Sequence, residues 1–172
     1  TCYLYTDPVK QSVKITDFDV SEYFSGIRDD LVKFYTASLW AESVLKTYAT
    51  GGESERLYAL LVDSLGELQR RPAAEAERVS VQFVWRFLEY SGLQPDLEHS
   101  AVSGEFLAEN EPIYYSPREQ GFCGPDEARE EMARWQPGAA AYLRYSGRQI
   151  LADSLRVVPP DGAIARIKRV FY

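Results

Sequence analysis

Two tetrads hold the residue types and spacing that could bind a metal. Ser100-Ala-Val-Ser103 and Cys123-Gly-Pro-Asp126 are separated by 19 residues, the frame of a C-x2-C…C-x2-C zinc site. Of the four ligand positions, Ser100, Ser103, Cys123 and Asp126, one keeps a thiol. Structural zinc takes about four soft or imidazole ligands in a closed tetrahedron, and a serine hydroxyl serves it poorly. The frame therefore reads as a degenerate knuckle without metal, and an ordinary loop with chance spacings is the competing reading. His99, the sole histidine, and Cys123 supply the residue types of a thiol dyad. A thiolate nucleophile needs an adjacent base or cation, and no nucleophile motif surrounds either residue. P-loop, GxGxxG and HExxH patterns are absent from the sequence. No cofactor is expected, and the chain reads as a non-enzyme.

A second group of candidates is cationic. In the run Ile164-Ala-Arg-Ile-Lys-Arg-Val-Phe171, Ile164, Ile167 and Phe171 share one helical face and Arg166, Lys168 and Arg169 fall off it. This predicts a docked amphipathic helix whose wet side is either ordinary surface or a patch for phosphate or an acidic peptide. The whole chain has a formal net charge of −7, which argues against a general nucleic-acid binder. Charge is separated along it: residues 96–131 hold ten carboxylates against Arg118 and Arg129, whereas residues 138–172 hold six cations against Asp153 and Asp161. Twelve tyrosines and three tryptophans could stack on bases, but most sit on apolar helix faces, where core packing is the default.

At 172 residues and 45% hydrophobic content the chain can bury a real core, as one domain or one domain plus a fragment. Two distant cysteines suit a reducing, cytoplasmic setting. No apolar run approaches the ~20 residues of a membrane span, and no leader opens the sequence. The first residue is Thr1 and the sole methionine is Met132, so the chain is expected to be the C-terminal part of a longer protein.

Residues 1–20 have strand character around a Thr6-Asp7-Pro8 turn. From Ile27 the period becomes helical, with Leu31, Phe34, Tyr35, Leu39, Glu42 and Leu45 at three- and four-residue steps up to a stop at Gly51-Gly52. Further helices are expected over about 54–71, with Leu57, Leu60, Leu61, Leu65 and Leu68 on one face, and over about 74–90, apolar over most of its circumference as a central helix would be. Helices are also expected over about 137–155, with a break at Ser146-Gly147, and over about 162–170. The fold class is mainly α: a helical bundle carrying a finger-like insertion at 96–126, preceded by a short β segment.

The stretches GGESERLYALLVDSLGELQR, FVWRFLEYSGLQPDLEHSAVSG and YYSPREQGFCGP together resemble the RecO family of recombination mediators. The most specific parts are the LEY-x-G-x-x-P-x-L helix exit at 88–97, the tetrad and glycine at 100–104, and SPRE-x-G-F-C at 116–123. The resemblance covers about residues 13–150, and the sequence departs from the zinc pattern at Ser100, Ser103 and Asp126. It implies that residues 1–20 are the last strands of an N-terminal OB-fold and that residues 21–172 form the helical domain with its finger. A β-hairpin packed on the helices is the other reading of the first segment.

The resemblance also implies a non-enzymatic role in DNA repair, in which a cytoplasmic, nucleoid-associated mediator anneals strands and loads recombinase together with a RecR-like partner. Weak single-stranded DNA binding and docking of the acidic, Phe-ended tail of single-stranded-DNA-binding protein would follow. That docking needs an apolar pocket rimmed by cations, and Arg86, Arg144 and Arg148 are candidates by charge and helical context. A protein-interaction domain that never touches DNA is the alternative. Without a metal, aromatic burial must anchor the insertion. Phe122 and at least one of Tyr114 and Tyr115 are expected inside, with Ser100 and Ser103 hydrogen-bonded locally.

Overall fold

A computed structural model describes residues 2–48 and 54–172; the expected stop at Gly51-Gly52 lies outside them. The chain opens with a hairpin of β1 (Cys2–Asp7) and β2 (Ser12–Phe18), paired antiparallel with Leu4 opposite Ile15. Asp7 turns it, its carboxylate accepting the amides of Val9 and Lys10. Leu4, Val13, Ile15 and Phe18 are all at least 60% exposed. The hairpin's apolar side chains therefore lie open, and the expectation of a hairpin packed on the helices does not hold.

The helices follow as α1 (Ser25–Arg28), α2 (Leu31–Tyr48), α3 (Ser54–Arg70), α4 (Ala76–Tyr90), α5 (Pro137–Gly147), α6 (Leu151–Ser154) and α7 (Ala163–Phe171). Asp30 caps α2, accepting the amides of Val32 and Lys33. At the α3–α4 corner, Arg71 bridges Glu67 and Glu75, each at 3.0 Å, across the Pro72 break. Helix α4 is the axis, as its all-round apolar sequence requires. Val79 and Phe83 face one core with Trp40, Leu57 and Leu68. On its other side Val81 and Trp85 face a second core with Phe122, Trp135, Leu143 and Ile167.

Two expectations are corrected here. In α2 the buried apolar side chains are Trp40 and Val44, whereas Leu31, Tyr35 and Leu45 are open to solvent. The insertion also outruns its expected boundary at residue 126. Its sheet has the antiparallel order β4-β3-β5, built from β3 (Ile113–Ser116), β4 (Gly121–Cys123) and β5 (Ala133–Trp135). Strand β5 brings Trp135 against Phe122 at 4.6 Å between ring centroids. Helix α5 stops where Gly147 meets Trp85, whose indole nitrogen would lie 2.7 Å from a Cβ at that position.

Candidate functional site

The fold brings the two tetrads together at one end of the insertion. The Ala101 amide donates to the Phe122 carbonyl at 2.7 Å, tying the first tetrad to β4. Ser100 is buried, and its Oγ accepts the amides of Val102 (3.1 Å) and Ser103 (3.3 Å) and donates to Glu127 Oε2 at 2.6 Å. Ser103 and Asp126 are exposed. The Cys123 side chain is fully buried, with its Sγ 3.6 Å from Met132 Sδ. Burial and the nearby Glu127 charge push the Cys123 thiol above its ordinary pKa. A protonated thiol facing a thioether, two hydroxyls and a solvent-directed carboxylate do not fit a closed zinc tetrahedron. Among the described residues, no group of three or more His, Cys, Asp and Glu side chains is placed to hold a metal ion.

The dyad elements take other partners. His99 Nδ1 lies 2.9 Å from Asp96 Oδ2, and the His99 ring lies 4.3 Å from that of Phe106. Of the expected anchors, Phe122 is fully buried, while Tyr115 is half-buried and packs edge-on against it at 5.3 Å. Leu107 and Ile113 are buried with it, but Phe106 stands 81% exposed.

Beside the insertion runs a groove of about 510 Å³ between Leu97-flanking residues and α5, lined by Glu98, Phe106, Leu107, Arg144, Tyr145 and Arg148. Phe106 and Tyr145 present largely exposed rings into it. An Arg144 guanidinium nitrogen donates to the Leu97 carbonyl. Arg148 pairs with Glu98 at 2.8 Å, both ends well exposed. A second groove of about 530 Å³ adjoins it, sharing Glu98, Arg144 and Arg148 and reaching Trp85.

The other cations fare differently. Arg86, expected at a pocket rim, is instead buried within the fold. Its guanidinium donates to Gln82 Oε1 (2.6 Å) and the carbonyls of Gln82, Ser146 and Gln149, and burial lowers its pKa. It is unavailable to a partner. On α7, Lys168 is tied to Glu77 of α4 and lies 5.8 Å from the centre of the Tyr172 ring. Arg166 and Arg169 are exposed one turn apart, with Arg166 3.3 Å from the Asp161 carbonyl. The structure thus splits the expected triad into two exposed arginines and one lysine that holds the helix down.

Residues 28–169 match the family described as Recombination protein O C terminal. The chain belongs to the RecO C-terminal family. A RecO relative, the DNA repair protein RecO of Desulfatibacillum aliphaticivorans, is 32% identical over 88 residues, or 51% of this chain. That alignment spans 34% of the relative's length. The RecO match takes in α2 to α6, the three-stranded sheet and α7 up to Arg169, and leaves the hairpin outside. Among the described residues, no helix is long and apolar enough to cross a membrane.

Sequence reasoning missed Glu127, Trp135 and Met132. Trp135 had a signal, since an aromatic residue following the acidic run 126–131 marks a return to the core. Glu127 had none, because it stands among ten carboxylates of similar context.

Proposed function

We propose that the domain works in DNA repair as part of a recombination mediator, docking the acidic, Phe-ended tail of single-stranded-DNA-binding protein in the groove beside α5. The observation that carries the proposal is the exposed pair Phe106 and Tyr145 beside Arg144 and Arg148 in one groove. An apolar end could insert between the two rings, while the arginines take carboxylates, which a guanidinium binds in fork geometry. The Arg148–Glu98 pair is exposed, and such pairs contribute about 0–1 kcal/mol, so a ligand carboxylate can displace Glu98 at small cost.

The wider role is strand annealing and recombinase loading together with a RecR-like partner, without catalysis. The hairpin would then be the end of an OB-fold, its open apolar face of Leu4, Val13, Ile15 and Phe18 suiting strands of a larger sheet or barrel. On this proposal residues 1–20 and 21–172 are separate domains.

Titrating a labelled tail peptide and the same peptide without its terminal Phe tests the docking. Burying an aromatic side chain is worth about 1.5–3 kcal/mol, so truncation should weaken binding by roughly tenfold or more. Equal affinities would remove the groove from the proposal. The second reading, an interaction domain with no DNA contact, is favoured by the net charge of −7. Its discriminating measurement is the salt dependence of single-strand binding.

A further inference from the structure

The two tetrads close on a carboxylate. Glu127 Oε2 accepts the Ser100 hydroxyl at 2.6 Å and the Gly124 amide at 3.2 Å, one donor from each tetrad. We infer that Glu127 is the cross-brace that joins the two tetrads where a metal-binding knuckle would use an ion.

Three observations converge on this. Ser100 is only 5% exposed, so its hydroxyl has given up water and needs an acceptor inside the fold, which Glu127 supplies. The same Ser100 oxygen gathers the amides of Val102 and Ser103, so the brace orders the whole first turn through a single side chain. On the opposite side the Glu127 carboxylate reaches back to the amide before its own short 3-10 turn at Pro125–Glu127, which fixes the second tetrad to the same point.

A charged acceptor shared by a hydroxyl and an amide makes bonds about twice as strong as neutral ones, and it needs neither thiolate nor ion. These bonds hold the Glu127 carboxyl below its ordinary pKa. The Cys123 thiol, free of ligand duty, turns into the apolar interior beside Met132.

The consequence is a finger closed independently of metal supply. Amide hydrogen exchange on the full chain reads it locally, at residues 101–103 and 123–124. Treatment of the parent with a chelator should leave these amides unchanged. Glu127→Ala should speed their exchange by roughly tenfold or more, the scale of a lost hydrogen bond to a charged group, while amides of α3 stay protected. Glu127→Gln keeps one acceptor oxygen without the charge, so it should give a smaller rise at the same amides even if the alanine variant fails to fold. About one zinc per purified chain, a chelator-induced rise in the parent, or parent-like exchange in Glu127→Gln and Glu127→Ala alike would overturn the inference.

Discussion

Arg86 is a cation with no carboxylate partner among the described residues, held inside the fold by oxygens of Gln82, Ser146 and Gln149. Its guanidinium fastens α4 to the end of α5, a task that planar, divergent donors perform and an ammonium cannot. Arg86→Ala should cost about 2–4 kcal/mol, since it leaves a cavity and unpaired oxygens. Arg86→Lys should recover only part of that, as read from urea denaturation. Nothing in the sequence separates this arginine from a surface one, because both stand at helical positions among apolar neighbours. Glu67 offers a pH test at the same scale. Burial raises its pKa, but hydrogen bonds from Arg70 and Arg71 outweigh that and hold it below the ordinary range. A carboxylate depressed in the folded state stabilises above its unfolded pKa of about 4.3, and that contribution is lost as pH falls through the folded value. Glu67→Gln should therefore lose less stability than the parent on acidification below about pH 4.

At the scale of elements, the helices were legible and the strands of the insertion were not. Helices α3 and α4 announce themselves by long apolar periodicity and by Pro72, whereas β3, β4 and β5 are three or four residues each, shorter than the run needed for alternation to register. Helix α2 shows the limit of periodicity itself. It is apolar on nearly every side, so spacing alone could not decide that Trp40 and Val44 face the core while Leu31 and Leu45 face water. In the insertion the anchor is Phe122, clasped by Tyr115 and Trp135. Phe122→Ala should destabilise by about 3–5 kcal/mol, seen as a lowered melting temperature. Cys123→Ser should cost stability too, because the thiol is buried beside Met132. A serine there would place a hydroxyl in apolar surroundings, at a cost of about 1–3 kcal/mol.

The whole molecule separates its charge and its open surfaces. The acidic insertion is followed by a segment whose exposed cations, Arg148, Arg156, Arg166 and Arg169, lie at the end of α5, after α6 and on α7. Single-stranded DNA should bind weakly, through Arg166 and Arg169, with log K falling by about 0.7 per phosphate contact as log salt rises. Charge reversal of Arg166 and Arg169 should abolish that slope. Reversal at Lys168 should instead act on stability, by breaking its tie to Glu77. If the double variant binds single strands like the parent at low salt, α7 is only a wet helix face.

If the acidic tail docks in the groove beside α5, amide and aromatic NMR shifts during a titration with that peptide locate the contact directly. Shifts are expected at Phe106, Tyr145 and Arg148, with the Arg148–Glu98 pair opening, and those shifts should be lost in Arg148→Glu. Shifts confined to the β1–β2 hairpin or to α7, with the groove silent, would contradict this docking.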